Sequence, residues 1–257
     1  MQDLYSELWL EQEPVIWERM IHIPHPNYGV RPGFKISLQD GYPLPGLVTR
    51  RVQTVIKILQ VKANLPCGIE KILVRHEYDT IRRVLKAAET LKWSDFNPDT
   101  GRPSVPSRLD YKVSCQPGSG VWSSNSLPFF DLLLTNKIQG KTAFLSYLLV
   151  YRLLKQKPTI YRINDDTCFI FDEDRHGEET SAKALFALPE EEKRQFWVLT
   201  DEPLVNANWY SPIFCWYIIL AASPRKVKES RDWEKNRNVG VHFMSTWKWG
   251  EIFAAYW

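Results

Sequence analysis

An apolar stretch opening with Gly140-Lys141-Thr142 and an upstream run Cys115-Gln116-Pro117-Gly118-Ser119-Gly120 restrict this chain more than any other feature. Joined through one shared glycine, the two pieces read CQPGSGKTAFLSYLL. That string is a Walker A loop in all but its first position, where Cys115 stands in place of Gly, and it runs on into the apolar helix such a loop opens. The chemistry of the loop is geometric. Successive backbone N–H groups and a helix N-terminus wrap the phosphates, a Lys reaches the terminal ones, and a hydroxyl holds Mg²⁺. Gly118, Gly120 and Gly140 are the phosphate-loop glycines of this pattern, with Lys141 as its cation and Thr142 as its metal hydroxyl. The segment Val121 to Gln139 separates the halves and would change that geometry.

The pattern around the motif is that of an α/β protein. Strand, loop, helix and strand follow one another from Tyr111, and this alternation predicts a parallel sheet with helices on its faces. Leu145 to Gln156 is a helix stopped by Lys157-Pro158. Strands are predicted at Thr159 to Ile163 and Thr167 to Phe171, the apolar run Gln195 to Glu202 ends in two carboxylates, Phe214 to Ser223 is a second central-strand candidate, and a polar helix is expected at Glu178 to Ala187. Apolar runs such as Phe196-Trp197-Val198-Leu199 are what a sheet covered on both faces produces. Upstream, Gly68 to Arg75 contains a short strand, and Glu77 to Trp93 is a helix whose buried face carries Ile81, Val84, Leu85, Ala88 and Leu91. Asn97 to Ser104 is rich in turn formers and predicts a surface loop. Before residue 68, Pro14, Pro24, Pro26, Pro32, Pro43 and Pro45 break any long element, so short strands and loops are expected. The division is thus an irregular N-terminal extension, 1–67, and a core, 68–257.

Composition narrows the function classes. The 257 residues carry 33 basic and 30 acidic side chains, a net charge of +3, which gives no electrostatic warrant for nucleic-acid binding. A chain of this length buries roughly 70–75% of its unfolded surface and needs no staple. Its four cysteines, Cys67, Cys115, Cys168 and Cys215, form no CxxC pair, which speaks against a zinc ribbon or a disulfide framework. No apolar run approaches the ~20 residues of a transmembrane helix, and Met1 to Gln12 lacks a signal-peptide pattern. A soluble cytoplasmic or nuclear protein without a membrane partner is expected. There are eleven tryptophans, with Trp209, Trp216, Trp233, Trp247, Trp249 and Trp257 in the last fifty residues or so. Aromatic core packing is the default for them, and a base-stacking or protein-binding face is the other reading.

Further side chains complete a nucleotide site. Asp201, at the carboxyl end of an apolar strand, fits the Walker B role of holding Mg²⁺ through water, and Glu202 beside it is placed to orient the attacking water. Ser223 ends the next strand as a sensor of the γ-phosphate, and Arg225 can act likewise. Ligands of open α/β sheets bind beyond the carboxyl ends of the strands, where these residues would all lie. The acidic group Asp165, Asp166, Asp172, Glu173 and Asp174 is read as a solvated hairpin rather than a metal or nuclease centre. His22 and His25 are read as ordinary packing or surface histidines, since Pro24 and Pro26 preclude the helical spacing that makes paired histidines converge.

Taken together, the lead-in Leu73-Val74-Arg75-His76-Glu77-Tyr78, the rejoined loop, Phe196 to Pro203, Ala221-Ala222-Ser223-Pro224-Arg225 and Met244 to Ile252 resemble the P-loop NTPases related to crinkler and retrotransposon-hot-spot proteins of mushroom-forming fungi. The resemblance covers about Gly68 to Trp257. It implies an additional-strand, AAA-like or STAND-like P-loop NTPase core that binds ATP and Mg²⁺ and hydrolyses the nucleotide, and a chain that stops before the family's helical lid. The family's effector secretion is not implied, because the N-terminal header of secreted crinklers is absent. Gly120-Val121 can encode a splice donor, Leu134-Thr135-Asn136 a branch point and Gln139-Gly140 an acceptor, so Val121 to Gln139 reads as a retained intron or a gene-model error. If the segment is real protein, Thr135 to Thr142 forms a poorer substitute loop, since Lys137, Ile138 and Gln139 put side chains where backbone must meet phosphate. The alternative function is then a degenerate, non-hydrolysing module acting through a protein partner.

Overall fold

Consecutive residues of the central strands are buried on opposite faces, and this sets the architecture. Trp197 and Leu199 pack into one apolar cluster while Val198 packs into a second; Tyr217, Ile219 and Ala221 are divided from Ile218 and Leu220 in the same way. A sheet covered on both sides requires this doubled apolar content. The computed structural model describes residues 1–11, 16–24, 51–66, 68, 70–94, 109–115, 140–209, 216–222 and 238–244.

Among these residues the strands form two sheets. The smaller is antiparallel, with β1 (Ile16–Pro24), β2 (Arg51–Gln60) and β3 (Lys71–Val74) in that order. The larger has seven strands: β4 (Leu109–Cys115), β5 (Thr159–Arg162), β6 (Cys168–Phe171), β7 (His176–Thr180), β8 (Trp197–Thr200), β9 (Tyr217–Ala222) and β10 (Asn238–Met244). Their spatial order is β10-β4-β9-β8-β5-β6-β7. The run from β10 to β5 is parallel throughout.

Beyond β5 the expectation of a wholly parallel sheet is corrected, because β6 and β7 are antiparallel additions and the fold is mixed α/β. Their connections are too short for a crossover, so only hairpins can form. Side-chain acceptors close both turns. Asn164 Oδ1 accepts from the amides of Asp166 and Thr167, at 2.9 and 2.7 Å, and Asp172 Oδ1 accepts from those of Asp174 and Arg175. The polar helix expected over Glu178 to Ala187 is corrected too: its first part is β7, and only Ala182–Phe186 is helical, capped by the Ser181 hydroxyl.

Two longer helices cover one face. The first helix of the chain, α1 (Gln2–Tyr5), runs on into a π-turn, Ser6–Leu10. Helix α2 (His76–Ser94) buries Tyr78, Ile81, Leu85 and Ala88, whereas Val84, expected on the same face, is 40% exposed. Helix α3 (Gly140–Leu153) is apolar nearly all round, and residues Ala143 through Val150 are all buried. Such a helix has to be enclosed. It lies in one cluster with the sheet side chains Tyr161, Leu199 and Ile219, with Tyr78 and Leu85 of α2, and with Leu4, Tyr5, Leu8 and Trp9. It ends as expected before Pro158, with Gln156 at φ 48° and the Lys157 amide returning to the Arg152 carbonyl at 3.0 Å.

The first 67 residues are more regular than their prolines suggest. Strands β1 and β2 pair from Ile16↔Leu59 to Pro24↔Arg51, and Pro24 is tolerated as the last residue of its strand. The β2–β3 ladder carries this sheet across residue 68. Short helices α4 (Ala182–Phe186) and α5 (Glu190–Lys193) pass between β7 and β8, and a 3₁₀ turn, Ala207–Trp209, follows β8. Among the described residues no helix is long and apolar enough to cross a membrane. Asn97 to Ser104, Val121 to Gln139, His25, Cys67, Cys215, Trp233, Trp247, Trp249 and Trp257 lie outside the described residues.

Candidate nucleotide site at the carboxyl edge of the sheet

Parallel pairing puts the carboxyl ends of β10, β4, β9, β8 and β5 on one edge, with β9 between the strand that leads into the split loop and the strand that ends at Asp201. Two of the residues expected at the site meet there. Thr142, in the first turn of α3, donates its hydroxyl to Asp201 Oδ2 at 2.9 Å. Asp201 follows β8 directly, and both side chains are half-buried. These residues are 59 positions apart in the chain, so the fold makes this contact. An oxygen pair of this kind, a hydroxyl and a carboxylate, is the donor chemistry that a small hard cation takes, with water completing its shell.

Lys141 is 8% exposed. Most of its side chain is packed away from water, in the first turn of α3 next to Thr142. Gly140 and Lys141 open the helix, whose N-terminal amides and dipole favour negative charge. Glu202 is half-buried beside Asp201; its amide donates to Thr200 Oγ1 at 3.2 Å. Gly118, Gly120, Ser223 and Arg225 lie outside the described residues.

Residues that sequence reasoning missed surround this turn. Arg162, the last residue of β5, is buried, and its guanidinium donates to Thr200 Oγ1 at 3.0 Å, to the Glu202 carbonyl at 3.2 Å and to the Pro203 carbonyl at 3.3 Å. Its Nε and Nη2 also donate to Asp165 Oδ1, at 3.0 and 2.7 Å. The indole N–H of Trp209 reaches the same oxygen at 2.9 Å. Burial pushes the Asp165 carboxyl up, but the Trp209 and Arg162 hydrogen bonds and the Arg162 charge outweigh it and leave it below its ordinary value. The available signal was an arginine ending an otherwise apolar strand; it is visible only once β5 is known to lie beside β8.

Of the remaining acidic group, Asp166, Glu173 and Asp174 are exposed, as a solvated hairpin requires, while Asp172 has a structural role. Asp172 is buried and pairs with Arg175, which also pairs with Glu192. Among the described residues no three His, Cys, Asp or Glu side chains gather as a metal-binding group. Trp209 and Trp216 are fully buried, with ring centroids 5.9 Å apart, so these two belong to the core. No protein-family model, curated protein or solved structure matches this chain. The geometry alone therefore carries the functional reading.

Proposed function

We propose that this chain is a Mg·ATP-binding P-loop NTPase core of the additional-strand type, with Thr142 and Asp201 at the metal and Lys141 at the phosphates. The observation that carries the reading is the 2.9 Å bond from Thr142 to Asp201, since a Walker A hydroxyl and a Walker B carboxylate share one cation and must be neighbours. It is supported by the strand order, in which β9 lies between β4 and β8, and by the place of Lys141 in the first turn of α3, beside Thr142. In this reading the first turn of α3 and Lys141 would bind phosphate oxygens, and Thr142 and Asp201 would hold the metal ion. Magnesium, when bound, screens the charge that develops on the transferred phosphoryl group. Glu202 would orient the attacking water, and Ser223 and Arg225 keep their expected role as sensors of the γ-phosphate from sequence alone.

A ligand that binds only the native state raises its stability. At a hundred times its Kd, Mg·ATP should add about 2.7 kcal/mol, which for a chain of this size is a rise in Tm of roughly 5–10 °C. Lys141→Ala and Asp201→Asn should abolish the rise while leaving the apo melting curve close to wild type. A Lys141→Ala chain that binds Mg·ATP as wild type does would overturn the reading.

The non-hydrolysing interaction module is favoured by two sequence observations, Cys115 at the first loop position and the intervening Val121 to Gln139. A variant carrying Pro117-Gly118-Ser119 joined through one glycine to Lys141-Thr142 separates the two readings. If it hydrolyses ATP and the present chain does not, the interruption has disabled an NTPase. Sequencing the mature transcript across codons 115 to 142 then decides which of the two chains is the working protein.

A further inference from the structure

We propose that Arg162 is a positioning residue for the proposed NTPase reaction, locking the turn that carries Asp201 and Glu202 in register with Thr142; the inference rests on the Mg·ATP reading. A guanidinium has five N–H donors in a fixed fork, and here each has an acceptor. Nε and one N–H of Nη2 go to Asp165 Oδ1, the second N–H of Nη2 goes to the Pro203 carbonyl, and the two of Nη1 go to Thr200 Oγ1 and the Glu202 carbonyl. Three of these contacts, at residues 200, 202 and 203, straddle Asp201 in the chain.

The arrangement is costly if stability alone is at stake. A cation with 4% of its side chain exposed needs its full set of partners, and an apolar residue ending β5 would avoid the desolvation. What the guanidinium supplies and an apolar side chain cannot is a fixed path for the backbone from Thr200 to Pro203. Asp165 fixes the fork from the other side. Its carboxylate is shared with Trp209 Nε1, and the Trp209 ring lies beneath the guanidinium, 5.4 Å from centroid to Cζ. Lys has neither the planar fork nor the donor count, so Arg162→Lys keeps the charge and loses the register.

The test is steady-state ATP turnover, with Mg²⁺ titrated, for wild type, Arg162→Lys, Arg162→Gln and Lys141→Ala, alongside thermal melts of each. A misplaced catalytic group costs on the order of 10²-fold. The expected result is therefore a fall of about that size in kcat for both Arg162 variants, a KM for ATP within about threefold of wild type, and a higher Mg²⁺ concentration for half-maximal rate. Should Arg162→Gln fail to fold, Arg162→Lys carries the test. Variants that melt earlier yet turn over like wild type, or whose KM alone rises, would overturn the positioning role and leave the NTPase reading intact. A wild-type chain that neither binds nor turns over Mg·ATP, indistinguishable from Lys141→Ala, would overturn the reading and this inference with it.

Discussion

At the scale of single residues, the decisive contact is between Thr142 and Asp201, and its chemistry can be separated from its packing. The Thr142 hydroxyl is spent on one acceptor at 2.9 Å. Removing it from a half-buried site forfeits a hydrogen bond to a charged group, worth about 1.5–3 kcal/mol. Thr142→Ser keeps the hydroxyl and should retain both the apo stability and the Mg·ATP-induced rise in Tm. Thr142→Ala should lose the rise altogether while costing about 1–3 kcal/mol in urea unfolding without nucleotide. If Thr142→Ala keeps the full nucleotide effect, the hydroxyl does not touch the metal. The sequence singled out Thr142 and Asp201 from short local runs, Gly140-Lys141-Thr142 and an apolar stretch ending in Asp201-Glu202, and the fold brings the two side chains together. Arg162 was not singled out. Its four acceptor atoms lie on two segments, at Asp165 and at 200–203, and only the pairing of β5 with β8 brings the second within reach.

Among elements, helix α3 is tied to α2 by polar contacts within a largely apolar seam, among them the Arg152–Glu89 ion pair at 3.7 Å and a hydrogen bond from Tyr147. Tyr147 donates to Asp79 Oδ1 at 2.6 Å, and Arg82 donates to the same oxygen at 3.1 Å. Burial pushes the Asp79 carboxyl up, but the Tyr147 and Arg82 hydrogen bonds and the Arg82 charge outweigh it, so its folded value lies below the ordinary one. A carboxyl depressed in this way adds stability that is present above its unfolded value, about 3.9, and is lost as pH falls through the folded value. Tyr147→Phe removes the larger of the two stabilising hydrogen bonds. It should cost about 1.5–3 kcal/mol near pH 7, and the penalty should shrink as pH drops below about 4. Urea unfolding of both chains from pH 7 down to pH 2 checks this; a penalty that stays equal throughout would mean that the Tyr147 hydrogen bond does not favour the ionised carboxylate. Elements with strong periodicity or clear stops, α2, α3, β5, β6, β8 and β9, were readable. Strand β7 was not, because as a polar strand that among the described residues pairs only with β6, His176-Gly177-Glu178-Glu179-Thr180 carries no apolar alternation to reveal it. Strands β1 and β2 were obscured by the flanking prolines, which limit where a strand can run but do not forbid one that ends at Pro24.

For the molecule as a whole, the surprise is how much of the core is supplied by the first eleven residues. Leu4, Tyr5, Leu8 and Trp9 are at most 4% exposed and share the cluster that encloses α3. The segment is fastened at several points. Glu7 accepts from the amides of Lys62 and Ala63 at 2.9–3.0 Å, Gln156 donates to the Trp9 carbonyl at 3.1 Å, and Tyr5 stacks on His176 with centroids 4.7 Å apart. Burying four large apolar side chains is worth up to about 6–12 kcal/mol at roughly 1.5–3 kcal/mol each, a large part of the 5–15 kcal/mol that holds a domain together. Deleting residues 1–11 should therefore abolish cooperative thermal unfolding and expose a dye-binding apolar surface over α3. Gly177→Ala is the gentler probe of the same seam. Gly177 has φ +79°, and a Cβ there would lie 2.9 Å from the Met1 carbonyl oxygen, so the substitution strains the backbone and pushes the N-terminus away at once. It should cost about 1–3 kcal/mol and speed hydrogen exchange in residues 1–11 before it affects β8 or β9. If the deleted chain still melts cooperatively within a few degrees of wild type, the core closes without the segment, and the buried area at Leu4, Tyr5, Leu8 and Trp9 overstates what they contribute.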